Sequence, residues 1–439
     1  MAHVNKVHVP VALVTPSGSF GNWLSVIKPA LEGLYPSMDF AYYSISSAND
    51  VHDFLTKESG SVGFLVFQFL SPWVSRPIIQ SGKPTIVITH TLYGSGEYLY
   101  EYPRARNLGY PVVGYSTMNV TSPNALWRIK LLETIARLRE SRVVFVVGPD
   151  VKPLIDLEYP LSVELLSVFR RIQSLFGVTP ITIDVRDFKA KYYDNINEAE
   201  ASKIAEAWIK GAEAIKDPSN EEIFKSAKLY LALKAIVRDL NADAVAVDCL
   251  VLRGKGYLDA WPCLGSMQLW YDGIVPVCEA DPYSAVVLLM SKFMLNKPGF
   301  INDPGIDEEH NRLIYWHCTA PTSPQGSGKP EVLYLIVTAH DETKHASVHV
   351  KLPTNEPVTV VGLNPEEREL TIHTGTAEES EYDPSICATA LKVKANARVI
   401  AGKFRWRAGW HRVLFYGNYI EEFRELATLL GLKTIIEDE

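Results

Sequence analysis

Along the first part of the chain, apolar residues gather in short runs rather than in helical stripes. The segments VHVPVALVT (7–15), DFAYYSI (39–45), VGFLVFQF (62–69), PTIVITHT (84–91) and RVVFVVG (142–148) are β-branched or aromatic-rich, and Gly or Pro flanks several of them. Such runs predict strands. Amphipathic stretches such as 125–140 lie between them and predict helices. Alternating strands and helices point to a mostly parallel sheet with helices on both faces.

The alternation continues from about residue 160. VTPITIDV (178–185) predicts a strand, and 197–215 a helix with Asn197 as its N-cap. Ser219 and Glu222 have capping-box spacing ahead of the apolar positions Ile223, Ala227, Tyr230, Leu231 and Val237. ADAVAVDCLVL (242–252) predicts the next strand, the loop RGKGYLDAWPCLG follows, and 274–277 is a further strand. After about residue 300 the pattern changes. RLIYWHCTA, EVLYLIVTAH, ASVHVKL, PVTVVGL, ELTIHTG, ALKVKA and HRVLFYG are strand-length runs separated by turn residues, and 419–432 closes the chain as a helix. The chain therefore reads as α/β: two doubly wound α/β domains (1–165 and 166–300), then a β-rich, antiparallel, barrel-like C-terminal domain (301–439). APTSPQGSGKP (320–330) is the one flexible-looking loop.

Composition narrows the function classes. With 439 residues, 47% of them hydrophobic, the chain can build two or three packed cores. A formal net charge of −8 gives no reason to expect nucleic acid or an anionic membrane as partner. No apolar run reaches the ~18 residues of a membrane helix. The first residues lack the apolar run and cleavage site of a signal peptide, so a cytoplasmic protein is expected. The five cysteines are odd in number and form no CxxC pair, which speaks against a disulfide framework and a zinc ribbon. TPSGSFGNW (15–23) follows the first strand as a phosphate-binding turn or a plain βα loop, and it is neither GxGxxG nor a P-loop.

Candidate chemistry centres on DGIVPVCEADPYSAVVLLM (272–290), where Glu279 and Asp281 stand between a strand and an apolar helix. Parallel sheets place working groups at the C-terminal ends of their strands. Two half-buried carboxylates at i and i+2 repel unless a cation sits beside them, so a divalent metal with oxygen ligands is one reading. In the other, Glu279 caps the helix and Asp281 points to solvent. His411 lies among aromatics in RWRAGWHRVLFYGN, where Trp406 and Trp410 are either sugar-stacking faces or core; His317 ends the strand YWH.

Together GIVPVCEADPYSAVVLLM, FINDPGIDEEHNRLIYWHCTAP, TAHD and GWHRVLFYGNYIEEFRELATLLGL resemble the L-fucose isomerase family, within the L-fucose/L-arabinose isomerase group, over roughly residues 195–439. The first 190 residues match only in general α/β style. The resemblance implies a metal-dependent aldose–ketose isomerase that uses Mn²⁺ or another divalent cation, acts on a sugar of the L-fucose or D-arabinose type, and assembles as a homo-oligomer, a trimer or hexamer. It implies Asp281 and His411 as metal ligands, with Glu279 a ligand or a supporting group beside them. Asp281 and Asp259 become the acid–base pair, and Trp410 and His317 line the sugar pocket. Two departures stand out. The family's upstream glutamate is missing, leaving Asp259 in the loop or Asp248 before it, and no arginine follows the first strand. A metal-dependent lyase or epimerase, or a non-catalytic sugar-binding relative, are the alternatives that these departures leave.

Overall fold

A computed structural model of the chain describes residues 6–69, 73–149, 165–328, 331–338, 345–405, 409 and 411–439. The chain divides into two compact units, Met1–Arg137 with Glu421–Lys433 and Leu138–Ile420 with Thr434–Glu439.

The first unit holds five parallel strands: β1 (Val7–Val14), β2 (Met38–Ile45), β3 (Phe64–Gln68), β4 (Thr85–His90) and β5 (Val112–Thr117), in the order β2-β1-β3-β4-β5. Every residue of β3 and β4 is buried, as strands of a parallel sheet covered on both faces must be. Strand β5 lies outside the runs singled out above because its VVGYST is apolar only at its start and sits at the sheet edge. The helix Ile420–Leu429 belongs mostly to this unit, where Arg128 holds Glu425 through an ion pair of 2.7 Å.

The second unit opens with β6 (Arg142–Val147), β7 (Thr179–Asp184), the short β8 (Ala214–Ile215), β9 (Ala244–Val247) and β10 (Val275–Cys278). Four of these form a parallel sheet in the order β10-β9-β6-β7. The strand read over 242–252 stops at Val247. Leu252 N donates to Asp248 O at 3.0 Å, and Cys249–Gly254 is a helix. A short apolar run such as CLVL suits a buried strand and a buried helix equally. The N-caps match the sequence: Asn197 Oδ1 accepts from Ala199 N at 2.9 Å and Ser219 Oγ from Glu222 N at 3.2 Å. The Glu222 carboxylate goes to Lys225 and His345.

The rest of this unit is β11 (Phe300–Asp307), β12 (Arg312–His317), β13 (Tyr334–Thr338), β14 (Ala346–Val350), β15 (Pro357–Asn364), β16 (Glu369–Tyr382), β17 (Thr389–Lys394), β18 (Arg412–Tyr416) and β19 (Lys433–Ile436). Six of them close an antiparallel barrel, β15-β18-β11-β12-β17-β16 and back to β15, with β19 added beside β16. The barrel expected for the C-terminal region is thus present, while β13 pairs with β14 on one side and β8 on the other in a separate small sheet. Arg412 is fully buried within the barrel region. Its guanidinium lies 4.0 Å over the Phe404 ring and 3.5 Å from Glu437, and donates to the carbonyls of Gly409 and His411 at 3.0 and 3.2 Å. A buried charge needs such partners. Here they also fix the backbone that carries His411.

Candidate active site

Strand β10 ends at Cys278, and the helix Pro282–Leu295 begins four residues on. Glu279 and Ala280 bridge the gap with left-handed backbone, φ 54° and 50°. Each such residue costs a side-chain-bearing amino acid about 1 kcal/mol or more. The turn is held because Ala280 N donates to Val247 O at 3.1 Å and Asp281 N to Cys278 O at 3.2 Å. Asp281 is the helix N-cap: Oδ1 accepts from Tyr283 N at 2.8 Å and Oδ2 from Ser284 Oγ at 2.5 Å. The capping carboxylate is therefore Asp281, which is buried, and not Glu279.

The barrel strands supply the other groups. Asn302 of β11 pairs with Arg412 of β18, so one step further along this ladder brings Asp303 opposite His411. His411 Nδ1 lies 3.1 Å from Asp281 Oδ2. Its Nε2 lies 3.4 Å from Glu279 Oε2 and 3.5 Å from Asp303 Oδ1. His317, at the end of β12, brings its Nε2 to 3.7 Å from Glu279 Oε1, and the two imidazoles meet edge to face with centroids 5.2 Å apart. Both histidines are buried.

The orientation of these groups suits a cation. The Asp281 carboxylate accepts a hydrogen bond from His411 Nδ1, which leaves Nε2 turned toward two carboxylates. His411 Nε2, His317 Nε2 and Asp303 Oδ1 are all buried with no hydrogen-bond partner. Lone pairs and carboxylates facing one another repel unless a proton or a metal ion lies between them. Glu279, His317 and His411 each offer one donor atom, all within 4.8 Å of one another, and a set of two imidazoles and a carboxylate fits Mn²⁺, Fe²⁺ or Zn²⁺. Electrostatics agree. Burial works to lower the His411 pKa, but Asp281 and Glu279 on its two nitrogens push it up to about 10. Burial likewise works to raise Asp281, and His411 and the capping donors hold it below the usual carboxylate range. Asp303 is raised, chiefly by burial, with His317 and His411 acting against the shift.

The structure brings Asp281, Glu279, His411 and His317 together. Asp259 has other partners: it is exposed, and its Oδ1 accepts from Tyr193 Oη at 2.9 Å. Asp248 is buried just beyond β9. Trp406 and Trp410 lie outside the described residues. Asp303 was not singled out from the sequence. The one signal for it was its place in FINDPGID, and only the pairing of β11 with β18 shows that it faces His411.

No family model matches the chain. Among solved structures, an ABC transporter solute binding protein from Agrobacterium vitis is 10% identical, covering 66% of this chain and 89% of its own, with a TM-score of 0.16. GanP, a glucose-galactose binding protein from Geobacillus stearothermophilus, is 14% identical, covering 66% and 92%, with a TM-score of 0.18. Scores this low carry no structural argument. A sulfoquinovose isomerase of Clostridium sp. (strain MSTE9) is 25% identical over 280 residues, 59% of this chain and 58% of that protein. A sulfoquinovose isomerase of Priestia aryabhattai is 24% identical over 277 residues, 60% and 59% of the two chains. The chain thus matches less than two thirds of the length of these curated relatives, and over that part it is similar to proteins named as sugar isomerases.

Proposed function

We propose that Glu279, His317, His411 and Asp303 form the active site of a divalent-metal-dependent aldose–ketose isomerase. The observation that carries this reading is the pair of buried imidazole nitrogens, both without a hydrogen-bond partner, aimed at a carboxylate beyond the C-terminal end of a parallel strand. The similarity to sulfoquinovose isomerases supports the reaction class. Glu279, His317 and His411 would hold the ion, with Mn²⁺ our first choice. The substrate is an aldose, either a sulfonated hexose such as the relatives' names state or a sugar of the L-fucose or D-arabinose type.

The reaction moves one proton between C1 and C2 and exchanges a carbonyl for a hydroxyl. Negative charge grows on two adjacent sugar oxygens as the C–H bond breaks. A bound divalent cation supplies positive charge beside those oxygens. Asp281 accepts from His411 Nδ1, which leaves Nε2 as the nitrogen that would face the ion once it gives up its proton. Asp303, raised by burial, holds a proton closer to neutral pH than an exposed aspartate does, which suits it to pass a proton to and from the sugar. Asp281 acts on the reaction through His411, and Asp259 has no part in this reading.

Thermal unfolding in rising Mn²⁺ tests the ion site. Stabilisation should grow with the logarithm of concentration, reaching about 2.7 kcal/mol at a hundredfold excess over Kd. It should be strongly reduced in Glu279→Gln. No shift at millimolar Mn²⁺ would sink the reading.

A further inference from the structure

All five cysteines of the chain line one cavity beside Glu279. They come from separate places in the sequence: Cys249 and Cys263 each open a helix, Cys278 ends β10, Cys318 follows β12 and Cys387 precedes β17. Every one is buried and none is in a disulfide. The sulfurs are close. Cys249 and Cys278 Sγ are 3.8 Å apart, Cys263 and Cys318 Sγ 3.0 Å apart, and Cys318 Sγ is 3.6 Å from His317 Nδ1. One ligand atom each from Cys278, His317 and Cys318 lie within 4.8 Å of one another.

We propose that this cluster is a second metal site, distinct from the carboxylate–imidazole site, that takes one thiophilic d¹⁰ cation, Zn²⁺ in the first instance. Cys278 Sγ, Cys318 Sγ and His317 Nδ1 are three ligands, and Cys249 or Cys263 supplies the fourth. A tetrahedral zinc with Zn–S of about 2.3 Å and Zn–N of about 2.05 Å spaces its ligands about 3.8 Å apart for S···S and about 3.6 Å for S···N. Cys249–Cys278 and Cys318–His317 have those spacings. Thiolates select zinc and copper(I) over manganese or magnesium. The cavity measures about 10 Å³, room for one water-sized guest, so it suits a single ion and not a cluster. Each ligating thiol gives its proton to solvent on binding, and no change of oxidation state is needed.

The site shares His317 with the carboxylate side. Nδ1 faces the thiols, and Nε2 lies 3.7 Å from Glu279 Oε1. An ion on Nδ1 would fix the ring and its tautomer, so His317 would be oriented by the soft site as His411 is by Asp281. The ion would also tie the ends of β10 and β12 to the two helices opened by Cys249 and Cys263. The proposal stands independently of the sugar reaction.

The full chain should be purified, loaded with Zn²⁺ or Co²⁺, and dialysed. One equivalent of zinc per chain should remain, and X-ray absorption should show sulfur neighbours at about 2.3 Å. The cobalt form should show a sulfur-to-metal charge-transfer band in the near ultraviolet. Cys318→Ser should lower retained zinc at least tenfold. The unsubstituted protein's cobalt spectrum decides the matter even if that variant fails to fold. A bound metal with only nitrogen and oxygen neighbours would overturn the proposal, since the ion would then sit at Glu279. So would five thiols that react equally fast in zinc-loaded and metal-free protein, or a Cys263–Cys318 disulfide formed in place of metal binding. The X-ray absorption, the cobalt band and the thiol reactivity read the sulfur ligands directly, so failure of this proposal is distinguishable from failure of the isomerase reading.

Discussion

Asp281 and Glu279 stand two residues apart, and the backbone between them decides which way each points. Left-handed φ at Glu279 and Ala280 breaks the strand alternation that would have put both carboxylates on one face. Asp281 then reaches the helix end and the Nδ1 of His411, while Glu279 meets the two Nε2 atoms. The sequence pointed to this place, because carboxylates at the end of a buried strand are unusual. It did not show how the work divides, because consecutive positive φ values at Glu and Ala carry no residue signature of the kind glycine gives. Asp281→Asn tests that division. It keeps a capping oxygen but loses the charge that orients His411, so metal affinity should fall about 10–100-fold while stability falls by no more than about 1 kcal/mol. Isothermal titration with Mn²⁺ and chemical unfolding read the two effects. Equal collapse of both would make Asp281 a purely structural residue.

At the scale of elements, the strands were legible where they are mostly apolar and almost wholly buried, as in β3, β4 and β6. They were not legible where an edge strand is buried only at its start, as in β5, or where a strand passes into a buried helix, as at Val247 and Cys249. Convergence of the site depended on pairing between β11, β12 and β18, which no local pattern encodes. Asp303 was missed for that reason, and so was the meeting of five cysteines with no motif spacing. The placement of His411 rests on Arg412, the next residue, which is buried against Glu437 and Phe404. Arg412→Met removes the guanidinium from a buried charge pair and leaves Glu437 with only the His373 imidazole at 3.0 Å and the Arg405 N–H, and should destabilise the second unit by about 3–5 kcal/mol. Urea unfolding measures it. A loss below about 1 kcal/mol would show that His373 alone compensates Glu437 or that Glu437 carries a proton.

For the molecule as a whole, pH adds a test unrelated to metal. Burial pushes the pKa of His349, on β14, down to about 4 from its ordinary 6.5. The folded chain keeps this ring neutral while the unfolded chain takes up a proton below pH 6.5. Stability should therefore fall as pH drops from about 6.5 to about 4 and lose no more from this residue below that, up to about 3 kcal/mol in total. In His349→Gln, unfolding free energy should depend less steeply on pH across that window; an unchanged slope would mean the ring is solvated in the folded state. Among the described residues no helix is long and apolar enough to cross a membrane.

The central claim is that proton transfer on an aldose takes place at Glu279, His317, His411 and Asp303. The most direct measurement is turnover in D₂O by the Mn²⁺-loaded protein on sulfoquinovose, L-fucose and D-arabinose, followed by mass spectrometry of the separated aldose and ketose. Ketose is expected from at least one of these sugars with deuterium at C1, and deuterium at C2 of the recovered aldose, with formation slowed by about 10²–10⁴-fold in both Asp303→Asn and Glu279→Gln. Undiminished ketose formation in both variants, or none from any aldose with the metal site loaded, would contradict it.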